Sequence, residues 1–147
     1  MHCSKMTYCG LLLLLPVLLL GQNWQSDFDT ALSKAKTEDK PLILVFSGSD
    51  WCAPCIKLEH DIWTSEEFIA YADKNYVLYR ADFPRKKRNR LPAALATVNA
   101  ELAEKFNPNG HFPLVVLMDG NEHTYGQMGY DKKSVKAYIS KMNAYLQ

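Results

Sequence analysis

Cysteine is scarce in this sequence, which has four cysteines among its 147 residues. Cys3 and Cys9 precede an apolar run at 11–20, while Cys52 and Cys55 stand two residues apart in the body of the chain. Small exported domains that depend on disulfides carry several spaced pairs, so this count excludes a disulfide framework. The composition, 48% hydrophobic and 22% charged, is instead that of an ordinary globular domain with a core of its own.

A dominant charge of one sign is also lacking. Seventeen basic residues face sixteen acidic ones, which leaves a formal net charge of +1. Nucleic-acid binding through a generally basic surface is therefore excluded, and no nucleic-acid partner is expected. The length fits one domain, and we expect a monomer.

No apolar run in the sequence is long enough to cross a membrane as a helix. The run at 11–20 has ten residues, broken by Pro16, whereas a spanning helix needs about 20. Because a short polar stretch with Lys5 precedes it and polar sequence follows Gly21, we predict a signal peptide over 1–21 and a mature domain over 22–147. A retained anchor is the alternative, since Leu19 stands where cleavage sites favour a small residue.

This interpretation predicts an exported protein, periplasmic or secreted, that meets the membrane only transiently through its signal peptide. It also removes Cys3 and Cys9. Cys52 and Cys55 are then the thiols of the mature chain and form one redox-capable pair.

Apolar periodicity predicts strands that alternate with helices, hence parallel pairing with right-handed crossovers and a final antiparallel hairpin. The predicted fold class is α/β, a three-layer α/β/α sandwich with a mixed central sheet. The predicted elements are a helix begun by Ser26 or Asp27, strand 42–46, a helix from Cys52 through Leu58 and Ile62, a helix capped by Thr64 and Glu67, strand 76–82, an amphipathic helix over 91–106 with a core-facing stripe, strand 114–118, edge strand 122–127 and a last helix capped by Asp131.

The pair Cys52 and Cys55 is the motif that carries chemistry. A thiolate is the nucleophile in disulfide exchange, and the positive end of a helix favours an anion. Cys52 lies at a predicted helix start, directly after a buried strand and a short loop, so its pKa is expected to fall. Cys55 follows one turn later and can reach its sulfur. Pro54 suits the first turn, where its missing N–H costs nothing.

Other uses of a Cys-x-x-Cys remain to be weighed. A zinc site needs about four ligands, and neither a second cysteine pair in the mature chain nor a His-x3-5-His spacing supplies them. Haem attachment needs histidine after the second cysteine, where Ile56 stands. A static disulfide would close too small a loop to stabilise the fold much, so the redox role is favoured.

Residues 51–55, which read Trp-Cys-Ala-Pro-Cys after a buried strand, resemble the thioredoxin family. Phe112-Pro113 before the third strand resembles that family's cis-proline loop, and Gly129 its glycine beside the substrate groove. The likeness covers about residues 40–147 and is strongest to exported bacterial members, among them the C-terminal domain of the periplasmic disulfide-interchange reductase. It implies a thioredoxin fold, no cofactor beyond the cysteines, no metal, and a substrate-binding surface formed by Trp51, Ala53, Pro54, Phe112, Pro113 and Gly129.

Two features depart from the family pattern. The family's first strand carries a buried acid that helps move the proton of the resolving cysteine, whereas residues 42–46 are all apolar. Asp50 and Glu59 are close in sequence and could take the place of this acid. The second departure is the basic run at 85–90, for which a solvated loop is favoured over a docking site for an acidic partner or headgroups.

The sequence therefore predicts a thiol–disulfide oxidoreductase, more a reductant than an oxidant, with Cys52 as nucleophile and Cys55 as resolving thiol. Its expected partners are protein thiols or disulfides and an upstream redox partner. The alternatives are a binding module that captures a protein or Cu(I) without turnover, and an adaptor that docks through the basic run.

Overall fold

The computed structural model describes residues 23–147 and contains five strands and five α-helices in this part of the chain. A π-helical turn over Glu59–Trp63 extends α2, and a short 3-10 turn over Lys87–Asn89 precedes α4. The elements are β1 (Trp24–Gln25), α1 (Phe28–Glu38), β2 (Leu42–Ser47), α2 (Ala53–Leu58), α3 (Glu66–Asn75), β3 (Val77–Asp82), α4 (Ala93–Phe106), β4 (Leu114–Met118), β5 (Thr124–Met128) and α5 (Val135–Ala144).

The strands form one mixed sheet in the order β1-β3-β2-β4-β5. β3 pairs in parallel with β1 and β2, while β4 is antiparallel to both β2 and β5. This confirms the predicted α/β class and its antiparallel hairpin at one edge. The predicted parallel pairing of helix-separated strands is confirmed for β2 and β3 but was wrong for β4, which runs antiparallel to β2. β1 was not predicted, because two residues are too few to show an alternating pattern.

The sheet is buried on both faces, because successive side chains of a strand point to opposite sides. On one face, Ile43 and Val45 pack against the layer formed by α2, α3 and α5. On the other, Leu44 and Phe46 pack against α1 and α4. These two clusters make three layers, and burial of each large apolar side chain stabilises the fold by about 1.5–3 kcal/mol.

Two predicted helix caps were wrong by one and three residues. α3 is capped by Ser65, whose hydroxyl accepts the N–H of Phe68, while Thr64 ends the preceding π-helical turn. α5 is capped by Ser134, and Asp131 instead receives an ion pair from Lys141 at 2.9 Å. Several capping-type side chains precede each helix, and sequence spacing does not say which one takes the N-cap backbone conformation. The predicted cap of α1 at Asp27 is confirmed.

The predicted core stripe of 91–106 was only half right. Leu102 and Phe106 are buried, but Leu91 and Leu95 are partly exposed and Val98 is 36% exposed. Asn99 is buried in their place, because its side chain accepts a hydrogen bond from the Tyr79 hydroxyl at 2.9 Å. The first half of α4 borders an open cavity, which Leu91 lines. This half of the helix is therefore not covered by another layer of the fold.

Across residues 23–147, none of the helices has the length and hydropathy needed to cross a membrane. The predicted signal peptide over 1–21 lies outside the described residues.

Candidate active site

Cys52 and Cys55 are joined as a disulfide at the start of α2, with their Cα atoms 5.2 Å apart. Cys52 is the N-cap of the helix, and its Sγ accepts the N–H of Cys55 at 3.3 Å. The Cys55 Sγ accepts the N–H of Gly48 at 3.5 Å. The first sulfur therefore lies at the positive end of the helix, where a thiolate is stabilised, and the second is enclosed by the preceding loop.

Trp51 is fixed by contacts on three sides. Its indole N–H donates to the Phe83 carbonyl oxygen at 2.7 Å, and its ring meets the Phe112 ring edge-on at 5.4 Å between centroids. The Arg85 guanidinium covers the ring at 3.7 Å from its centroid. Gly48 lies so close that a Cβ there would overlap the indole ring. Trp51 is therefore held as part of a wall beside the disulfide.

The Phe112-Pro113 peptide bond is cis, as the family resemblance implied. Gly129 lies beside it, since a Cβ at Gly129 would stand 3.7 Å from the Pro113 carbonyl oxygen. Ala53 and Pro54 are exposed and line a separate cavity of about 450 Å³ with the loop between β5 and α5. The structure thus brings the predicted groove residues around the disulfide, although their role in substrate binding stays a prediction.

Neither predicted substitute for the missing acid reaches the cysteines. The Asp50 carboxylate accepts the backbone N–H groups of Arg85 and Lys86 and the Asn89 side-chain amide, at 2.9–3.0 Å. These bonds, led by that from Arg85, lower the pKa of Asp50 to about 2. Glu59 forms an ion pair with Arg80. Within the described chain, neither carboxylate hydrogen-bonds a cysteine sulfur, so a role in moving the Cys55 proton is not supported by contact.

The basic run at 85–90, called the basic loop below, is exposed as the sequence predicted. Its backbone is nevertheless anchored by Asp50, and Arg85 lies on Trp51. Neither this connection nor the contacts of Phe83 and Gly48 with Trp51 were predicted from the sequence. The available signal was that Gly48, Asp50 and Trp51 are crowded into one short loop beside the cysteines.

The described residues contain no group of three or more histidine, cysteine, aspartate or glutamate side chains arranged to hold a metal ion. The Cys52–Cys55 disulfide is a group that can exchange with other thiols and disulfides.

Comparison with known proteins agrees with this chemistry. A sequence profile of the family described as thioredoxin-like matches residues 23–120. The disulfide bond reductase DsbH of Chlamydia pneumoniae is 33% identical over 132 residues, which are 90% of this chain and 77% of that protein. The thioredoxin-related protein DsbJ of the same organism is 30% identical over 122 residues, 78% of this chain but 34% of DsbJ, so the chain spans about a third of that relative.

A solved structure of a DsbH oxidoreductase superposes with a TM-score of 0.80 at 30% sequence identity, covering 97% of this chain and 94% of that one. The profile match covers about two thirds of the chain, the cysteine pair occupies the expected helix start, and the similarity to DsbH extends over 77% of that protein. The chain therefore belongs to the thioredoxin family.

Proposed function

We propose that this protein is a thiol–disulfide oxidoreductase that reduces disulfides in exported proteins, with Cys52 as nucleophile and Cys55 as resolving thiol. The observation that carries the proposal is the Cys52–Cys55 disulfide at the start of α2, with Cys52 as the helix cap. The relative DsbH is a disulfide bond reductase, which favours the reducing direction.

The reaction starts from the reduced pair. The Cys52 thiolate attacks one sulfur of a substrate disulfide; an S–S bond forms to the protein while the other substrate sulfur leaves as a thiolate and takes up a proton. Cys55 then loses its proton and attacks the Cys52 sulfur, which releases the second substrate thiol. Two electrons have passed to the substrate, and the protein is left as the Cys52–Cys55 disulfide. An upstream dithiol restores the reduced pair by the same steps.

The contacts of the two sulfur atoms support separate tasks for Cys52 and Cys55. The Cys55 N–H points at the Cys52 Sγ, so a thiolate there gains a hydrogen bond as well as the field of the helix end. The Cys55 Sγ instead accepts the Gly48 N–H of the preceding loop. Trp51, Phe112, Pro113 and Gly129, with Ala53 and Pro54, are the surface that we assign to the substrate backbone and side chains.

The proposal includes export, through cleavage near Gly21 or Gln22, to the periplasm or the exterior. The partners are proteins that carry disulfides and an upstream dithiol donor, and no cofactor is needed beyond the cysteine pair.

The test is reduction of insulin with dithiothreitol as the electron source. We expect the wild-type protein to accelerate it well above background and Cys52→Ser to abolish the acceleration. In a separate reaction without dithiothreitol, pre-reduced Cys55→Ser in a chain that begins at residue 22 should accumulate mixed disulfides with insulin, which non-reducing electrophoresis detects, and Cys52→Ser/Cys55→Ser should form none. Equal rates for wild type and Cys52→Ser would contradict the reductase function. The alternative would then be a thioredoxin-like binding module that captures a protein or Cu(I) without turnover.

A further inference from the structure

A cavity of about 530 Å³ is lined by Trp51, the residue directly before Cys52. Trp51, Phe83, Phe112 and Leu91 give it apolar walls, and the Phe83 and Phe112 rings meet edge-on at 5.5 Å. It is distinct from the cavity beside Ala53 and Pro54. Apolar walls of this size suit one large side chain with part of its backbone.

The rim of this cavity is strongly basic. Arg85 and Arg90 line it, and the basic loop to which they belong carries five cations. No acidic residue occurs from residue 83 to residue 100. The excess is local, because the whole chain has a formal net charge of only +1. Such a rim favours carboxylates on whatever enters the cavity.

The two carboxylates nearest the rim are already engaged within the protein. Asp82, which lines the cavity, accepts the Ser49 N–H at 2.9 Å and the Ser49 hydroxyl. Asp50 binds the backbone of the basic loop and not its guanidinium groups. The Arg85 and Arg90 side chains therefore keep donor groups for an external carboxylate.

The basic loop is also held in place before any ligand binds. Asp50 fixes its backbone at Arg85 and Lys86, and the Arg85 guanidinium stacks on Trp51, one residue before the reactive cysteine. A preorganised rim loses little freedom on binding, so each contact with a ligand counts more.

Building on the reductase activity proposed above, we propose that this cavity is a substrate subsite for an apolar side chain flanked by carboxylates, placed next to the cysteine under attack. The large side chain, aromatic or aliphatic, enters between Trp51, Phe83 and Phe112, and the acidic neighbours bind Arg85 and Arg90. The preferred substrates are thus proteins with an acidic segment that contains a large apolar side chain beside the disulfide.

The test uses three cystine peptides of equal length, with Phe-Glu-Glu, Phe-Lys-Lys or Ala-Glu-Glu next to the cysteine. The protein is reduced beforehand, and single-turnover rate constants are measured below saturation. We expect Phe-Glu-Glu to react about fivefold faster than Phe-Lys-Lys, from two partly exposed ion pairs. Replacing its Phe with Ala should slow the reaction about tenfold, from lost apolar burial.

Two double variants separate the subsite from general electrostatic attraction. Arg85→Gln/Arg90→Gln should bring the ratio of Phe-Glu-Glu to Phe-Lys-Lys close to one. Lys87→Gln/Arg88→Gln removes the same charge from the same loop but from side chains outside the cavity lining, and should keep most of the ratio. An equal loss of preference in both variants would overturn the subsite, because it would show attraction by the loop's net charge alone.

The remaining outcomes are equally decisive. Equal rates for the three peptides would overturn the subsite and leave the reductase function intact. Failure of the reduced wild type to react with any peptide would overturn both. Binding to phosphatidylglycerol vesicles that Arg85→Gln/Arg90→Gln abolishes, with no peptide preference, would assign the basic rim to a membrane surface and overturn the proposal.

Discussion

At the residue scale, the site depends on Gly48, a residue without a side chain. Gly48 closes the loop before the cysteines: its N–H contacts the Cys55 sulfur and its Cα faces the Trp51 indole. The carbonyl of Gly48 also accepts the Cys52 N–H at 2.9 Å. Gly48 thus contacts both cysteines and the Trp51 ring. A glycine is needed there because a Cβ would overlap the indole.

Gly48→Ala should displace Trp51, because the added methyl group overlaps its ring. We expect the free energy of unfolding to fall by about 1–3 kcal/mol, and insulin reduction to slow about tenfold as the wall beside Cys52 shifts. Urea denaturation and the insulin assay measure the two effects. Gly129→Ala is the stability control, since its Cβ would meet nothing closer than 3.7 Å; equal losses in both variants would refute the steric explanation.

Asp50 is expected to make the stability of the site depend on pH in the acid range. Its folded pKa, about 2, lies below the ordinary value of 3.8 because the basic loop donates hydrogen bonds to the carboxylate. A lowered pKa contributes stability that is complete above about pH 4 and is lost as pH falls through about 2.

Asp50→Asn should therefore be less stable than wild type at neutral pH, with the difference shrinking between pH 4 and pH 2. Thermal unfolding at a series of pH values gives the comparison. Glu104→Gln, at an exposed position of α4, serves as the control. Its unfolding temperature should follow that of the wild type at every pH. A gap between Asp50→Asn and wild type that stays constant down to pH 2 would count against the carboxylate as its source.

At the element scale, α4 joins the sheet through a polar contact and not through the apolar stripe alone. Asn99 accepts a hydrogen bond from the Tyr79 hydroxyl at 2.9 Å and donates one to the Asp82 carbonyl oxygen at 3.1 Å. Both partners belong to β3, whose end carries the loop that leads to the basic rim. The amide therefore fixes α4 relative to the strand end beside the site.

Asn99→Leu should cost about 2–3 kcal/mol of the free energy of unfolding, because it leaves a hydroxyl and a carbonyl without partners. Urea denaturation measures the loss, and Val98→Ala, on the exposed side of the same helix, should cost much less. Adding Tyr79→Phe to Asn99→Leu should recover part of the stability, since it removes one unpaired group; a further full loss would contradict this account.

The elements also mark where sequence reasoning succeeds and fails. β2 and β4 are continuous apolar runs buried on both faces, and such runs identify central strands without tertiary information. Asn99 and the cap Ser134 were missed because their roles depend on partners supplied by folding: the Tyr79 hydroxyl in one case and the local backbone conformation in the other. A polar residue in a helix does not reveal from sequence that it points inward.

At the scale of the whole molecule, the sheet divides the core into two clusters, and β1 closes one edge of it. Trp24 meets the edge of Trp63 at 6.0 Å between ring centroids, and the Arg80 guanidinium covers it at 4.4 Å. A strand of two residues therefore contributes through its aromatic side chain more than through its pairing.

Truncation tests both this edge and the predicted processing. A chain that begins at residue 23 should match the full chain in unfolding free energy and insulin reduction, because residues 1–21 are predicted to be a signal peptide. A chain that begins at residue 26 should lose about 2–3 kcal/mol, since it lacks Trp24. Urea denaturation of both proteins measures the difference, and equal stability would show that β1 contributes nothing.

The sulfur chemistry of the site could be predicted from the sequence, but the cavity beside Trp51 could not. The cysteine pair, Trp51 and the Phe112-Pro113 loop lie in motifs that the sequence shows directly. The cavity is different: its walls come from positions far apart in the chain, which meet only when β3, α4 and β4 are assembled. The cavity therefore could not be predicted from the composition or from the spacing of motifs.

The backbone clamp of Asp50 has a consequence for how such a site evolves. The carboxylate binds the N–H groups of Arg85 and Lys86, which every residue except proline possesses, so two of its three hydrogen bonds to the loop do not depend on the side chains there. The third comes from the side chain of Asn89. Single mutations in the basic loop are then free to alter the charge of the rim while the loop and the disulfide keep their places. Under the subsite proposed above, such point mutations would change which substrates the rim favours while the fold that carries the disulfide is kept.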